Sequence, residues 1–154
     1  MLKRKVRKVQ KKRTISRRKS DEKGDLQAQK KRTQRFYRLV SGDIGIFEAV
    51  DEDCPQDDPR RKKKPSGAWL DKSENNFGDA ISFWTEGGLR RYAKSRLLEW
   101  HASVVAEKIT VIIIKKPSKV LYEDKFQIVV DPESIGKQKK QVLGAFLSEK
   151  GIII

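Results

Sequence analysis

The sequence predicts an α+β fold: a single small domain with a mainly antiparallel sheet packed by one or two helices, preceded by a disordered basic N-terminal arm. Three observations carry this. The segments after residue 35 fall in the order strand, strand, loop, helix, strand, strand, helix, which argues for an α+β domain with a mainly antiparallel sheet. Ile109 to Ile114 is a β-branched run too apolar for a strand with one face in water, so it is expected at the centre of the sheet. Residues 1–35 hold 16 Lys or Arg against Asp21, Glu22 and Asp25, and thereby +13 of the net charge of +15. Residues 36–154 hold 20 basic and 18 acidic groups, a nearly balanced surface.

In the arm, Leu2, Val6 and Val9 fall at helix-like spacing, but crowded like charges and sparse apolar groups oppose ordering of the free segment. Its cations form four clusters: Lys3, Arg4, Lys5, Arg7 and Lys8; Lys11, Lys12 and Arg13; Arg17, Arg18 and Lys19; and Lys30, Lys31, Arg32 and Arg35. Such clusters suit a phosphate backbone, with binding that is tight at low salt, falls steeply as salt rises and reads little sequence. Basic tails also serve as solubilising extensions, import addresses or ligands for anionic lipid. No aromatic residue precedes Phe36, so base stacking is unavailable to the arm, and its apolar groups are too few for a membrane-surface helix. Nucleic acid, DNA or RNA, or an acidic protein surface is the expected partner, with a second protein partner open to the domain.

The domain is expected to begin at Phe36. Phe36 to Val40 has strand composition, Ser41 to Asp43 reads as a turn, and Ile44 to Val50 is a second strand or the start of a short helix. Residues 51–76 form a long charged loop with Pro55, Pro59 and Pro65, an acidic half, and the run Arg60, Arg61, Lys62, Lys63 and Lys64. That run is a second candidate polyanion contact, unless the two halves pair with each other. After Ile81 to Trp84, Thr85 is placed to cap a helix on which Leu89, Tyr92, Ala93, Leu97 and Trp100 share one face. Gly87 and Gly88 in its first turn admit a close approach by another backbone or a ligand. Beyond the apolar strand, Val120 to Tyr122 pairs locally, Phe126 to Val130 is a further strand, and a short helix is expected around Lys139 to Leu147.

Most catalytic constellations fail. Cys54 is the one cysteine and His101 the one histidine, so no Cys/His zinc cage can form, and the acidic pairs of the loop lack calcium-loop spacing. No metal is expected. Cys54 lies in an acidic stretch unsuited to a reactive thiolate, and His101 reads as a packing or capping residue. No phosphate-binding Gly-rich loop is present. With no run of about 20 apolar residues, no membrane is expected, and the chain reads as intracellular, cytoplasmic or nucleoid-associated.

Phe36-Tyr37-Arg38-Leu39-Val40, then Ser82-Phe83-Trp84-Thr85-Glu86-Gly87-Gly88-Leu89 running into a helix with Tyr92-Ala93, then Asp124 to Val130, resembles small bacterial and phage proteins of unassigned role. Those proteins look like pared-down relatives of the ADP-ribosyltransferase fold. The resemblance implies that Arg38 lies by a nicotinamide dinucleotide (NAD), that Thr85 and Tyr92 line its pocket, and that Gln127 stands in the region of the catalytic acid. There the sequence departs from the family, because a neutral glutamine cannot stabilise a developing cationic sugar as a glutamate does. The expected function is a small basic nucleic-acid-associated binding protein with no cofactor; the alternative is an ADP-ribosyltransferase-like enzyme, or an inactive relative, that binds a dinucleotide.

Overall fold

The computed structural model describes residues 33–65 and 77–154. The arm, which the sequence leads one to expect disordered, and its cations from Lys3 to Arg32 lie outside the described residues, as does segment 66–76 of the expected loop. Residues Gln34–Ile154 form one compact unit.

Strand β1 (Arg35–Ser41) is the spine of the fold. Phe36, Tyr37, Leu39 and Val40 are all buried, because alternate side chains enter two different cores. Gly42, at φ 60°, and Asp43 turn the chain into β2 (Ile44–Gly45), which pairs back on Val40 and Ser41. A positive φ at the first turn position matches the right-handed twist of a hairpin. Helix α1 (Ile46–Asp53) follows directly, so the segment read as a strand or a helix is both in succession. A 3-10 turn at Pro59–Lys63 precedes β3 (Ile81–Trp84), α2 (Glu86–Lys94) and α3 (Leu97–Val104). The chain continues through β4 (Ile109–Lys115), β5 (Val120–Glu123), β6 (Gln127–Val130), β7 (Lys139–Val142) and α4 (Leu143–Lys150).

The seven strands form one sheet in the order β5-β6-β3-β1-β4-β7, with β2 on β1, and every pairing is antiparallel. The predicted α+β class with a mainly antiparallel sheet is what the molecule has. On one face of the sheet Tyr37, Leu39, Val111 and Ile113 pack with Leu89, Tyr92, Leu97, Leu98, Trp100 and Phe146 from the helices. A smaller cluster of Phe36, Phe83, Ile114, Ile128 and Val130 fills the other. Burial on both faces explains why β1 and β4 read as nearly continuous apolar runs.

Several expectations are corrected. The apolar strand β4 is not central: β3 and β1 hold the middle, and β4 lies between β1 and the edge strand β7. The single helix expected after Thr85 is two, broken at Ser95 and Arg96, where Arg96 has φ 65°. Ser95 Oγ donates to the Tyr92 carbonyl at 2.7 Å and accepts from Leu97 N–H at 3.4 Å, so one side chain closes α2 and opens α3. Lys139 to Val142 is strand, not helix, and the helix starts only at Leu143. The loop expected from residue 51 starts later, because α1 runs to Asp53 and Cys54 is buried.

Candidate functional site

Strand β4 takes one edge of β1 from Arg35 to Ser41, so β2 and β3 must share the other. Between β1 and β3 the register holds one pair, Tyr37 with Trp84, and β2 pairs only at Val40 and Ser41. The sheet is split beside Arg38. A cleft of about 510 Å³ occupies the split, lined by Arg38, Phe47, Glu48, Ser82, Trp84 and Gln127 among others. Its size falls within the range of small-ligand sites, roughly 300–1,000 Å³.

Arg38 reaches across the split and donates from Nη1 to the Ser82 carbonyl at 3.2 Å. Gly45 makes room for it: a Cβ there would lie 2.7 Å from Nη2 of Arg38. Burial pulls the Arg38 pKa below that of a free guanidinium, and the negative charge of Glu48 opposes the change. The group remains cationic, and its poor hydration makes it a strong receptor for an anion. Gln127 reaches the same cleft from β6, opposite Trp84 in the β3–β6 register. Glu48 is the one carboxylate lining the cleft among the described residues. Phe47, 43% exposed, and Trp84 stand 6.5 Å apart between ring centroids, giving the cleft an aromatic flank.

Arg38 and Gln127 thus line one cleft, whereas Thr85 and Tyr92 are not among its lining residues. Thr85 Oγ1 accepts from Gly88 N–H at 3.0 Å and donates to the Lys125 carbonyl at 2.7 Å, so its hydroxyl is spent on tying α2 to the turn before β6. Tyr92 is fully buried; its hydroxyl hydrogen-bonds Nδ1 of His101, and its ring stacks on Trp84 at 5.3 Å. His101 is the packing histidine expected. Burial, with the charges of Lys64 and Arg61 adding to it, holds its pKa down to about 4, against a weaker opposing effect of Asp51.

In the loop, the opposite charges do pair. Arg60 binds Asp58 through Nε and Nη2, at 2.8 Å from Nη2 to Oδ2, and donates to the Asp53 carbonyl. The hydrogen bond to Arg60 holds Asp58 down at about 2. Arg61 binds Asp51 at 2.8 Å and the Cys54 carbonyl at 2.7 Å. Trp100 Nε1 donates to the Arg60 carbonyl and anchors the turn on α3. Lys62, Lys63 and Lys64 are exposed and form no ion pair with a described residue, whereas Arg60, also exposed, is committed to Asp58. Reading the sequence alone missed Phe47 and Glu48, which reach the cleft because the chain turns helical at Ile46, directly after a two-residue strand.

No group of His, Cys, Asp or Glu among the described residues could hold a metal ion, and no described helix is long and apolar enough to cross a membrane. No family model, curated protein or solved structure matches the chain.

Proposed function

We propose that this chain is a small nucleic-acid-associated or nucleoprotein-associated binding protein that grips phosphate backbones through its arm with little sequence preference. The observation behind it is the division of charge, +13 in residues 1–35 against +2 in residues 36–154. Neutralising phosphates with such a segment releases counterions, a gain that depends on salt and not on base sequence. The exposed Lys62, Lys63 and Lys64 add cations on the domain. The domain supplies the second engagement, with a protein partner or a small ligand. The test compares the full chain with residues 34–154 on duplex DNA and on RNA across a salt series. Truncation is expected to remove most of the affinity and most of the slope of log affinity against log salt. Equal affinities and slopes would sink the proposal.

A second reading, an ADP-ribosyltransferase-like enzyme or an inactive relative that holds NAD, is favoured by one observation: Arg38 and Gln127 line the same cleft. Gln127 offers a hydrogen bond but no charge, so the negative charge for a cationic transition state would have to come from Glu48. Calorimetric titration of residues 34–154 with NAD separates the readings. Uptake that disappears in Arg38→Ala supports the second; no uptake leaves the first alone.

A further inference from the structure

At the end of the sheet where β1 starts and β4 stops, a second cleft of about 410 Å³ is lined by Arg35, Lys115, Lys116, Lys137 and Lys139. No carboxylate lines it among the described residues. Lys116 is neutralised by Glu123 at 2.6 Å, whereas Arg35, Lys115, Lys137 and Lys139 form no ion pair with any described residue. All four are exposed. Glu149 is near enough to Arg35 and Lys139 to feel their charge, but its carboxylate is held chiefly by Gln141 at 2.8 Å.

The register makes this concentration costly. Arg35 stands directly opposite Lys115, and Lys139 directly opposite Ile113, so continuing the same register would set Lys137 opposite Lys115 on its other side. Like charges facing each other across a ladder repel and destabilise the sheet. A row of cations at the mouth of a concave surface, without acidic partners, is suited to an external polyanion. Ser118 and Gln138, which also line the cleft, add neutral donors for phosphate oxygens, and among the described residues no aromatic side chain lines it to stack a base. Lys30, Lys31 and Arg32 precede Arg35 with only Thr33 and Gln34 between, so the arm's last basic cluster runs on in sequence to this row.

We propose that this cleft binds the phosphodiester backbone of a nucleic acid and carries the arm's contact onto the folded domain, which rests on the arm's own affinity for nucleic acid proposed above. The test uses the full chain, a Lys115→Gln/Lys137→Gln variant and a Lys94→Gln/Lys108→Gln control that removes equal charge from exposed positions outside the cleft. Binding to random-sequence duplex DNA and to duplex RNA is followed across a salt series. Each phosphate contact contributes about 0.9 to the slope on duplex DNA, so the cleft variant should lose nearly 2 and the control less than 1. The cleft variant should also unfold at a higher temperature, because repulsion against Arg35 is relieved, which separates lost contacts from lost fold. Equal slope losses in the two variants, or an unchanged slope in the cleft variant while arm removal abolishes binding, would overturn the cleft and spare the arm. A full chain that ignores nucleic acid and binds polyglutamate would overturn both.

Discussion

At the residue scale, the buried Tyr92–His101 pair ties the helices to the wall of the first cleft. Tyr92 stacks on Trp84, and His101 meets Phe47 edge-on at 4.9 Å, so the two aromatic residues flanking the cleft rest on this pair. With the imidazole neutral and protonated at Nε2, the phenol donates to Nδ1 and both buried groups are satisfied. Protonating His101 removes that acceptor inside the core. Its pKa is about 4 in the folded chain against an ordinary 6.5, so between these values the unfolded chain binds a proton that the folded chain refuses. The sign follows: the stability contribution is fully present above about pH 6.5 and is lost as pH falls toward about 4, a range worth roughly 3 kcal/mol. Urea midpoints measured across this range should fall more steeply for the wild-type chain than for His101→Gln. Parallel profiles would show that the histidine is not buried as a neutral base.

At the element scale, hydrogen bonds and a close backbone approach fasten the start of α2 to the turn before β6. Thr85 caps α2 and bonds Lys125, Thr85 N–H donates to the Phe126 carbonyl at 2.8 Å, and Gly88 packs onto that same carbonyl. A Cβ at Gly88 would sit 2.0 Å from the Phe126 oxygen, whereas one at Gly87 meets nothing closer than 3.8 Å. Gly88→Ala must push helix and turn apart and is expected to cost about 1–3 kcal/mol; Gly87→Ala should be neutral or stabilise by up to about 1 kcal/mol. Chemical denaturation of the two variants checks this, and equal effects would refute the close approach. The sequence showed the glycine pair and the choice between a backbone and a ligand, but not which glycine was needed. The same limit holds elsewhere. The strand character of β1, β4 and β6 and the buried face of α2 and α3 were legible, because period and β-branching report burial directly. Strand β7 was not, since Lys-Lys-Gln-Val has neither apolar alternation nor length and owes its pairing to the free edge of β4. The break at Arg96 was hidden because Leu97 and Trp100 keep the helical period across it, and the left-handed residue there is not glycine. In the site, Arg38 and Gln127 were named only through the family resemblance, their meeting depending on a strand order that local patterning does not carry, while Glu48 depended on a two-residue strand followed at once by a helix.

At the scale of the whole molecule, the question is whether the arm and the domain bind independently, and heat distinguishes the cases. The unfolded chain keeps every one of its 36 basic residues, so a polyanion held by the arm alone binds folded and unfolded chains alike. Mass action then shifts nothing, since only preferential binding to the folded state stabilises it. The row Arg35, Lys115, Lys137 and Lys139, by contrast, exists only when β1, β4 and β7 are paired. Nucleic acid that occupies this cleft binds the folded chain preferentially, and a tenfold preference corresponds to about 1.4 kcal/mol. For a domain of this size that is a rise of roughly 3–6 °C in the unfolding midpoint. Saturating duplex DNA at low salt is therefore expected to raise the midpoint of the full chain by several degrees and to leave that of Lys115→Gln/Lys137→Gln nearly unmoved, although the variant still binds through its arm. Differential scanning calorimetry with and without the duplex reads both. A full chain that binds tightly yet shows no shift would confine recognition to the arm and leave the domain without a part in it.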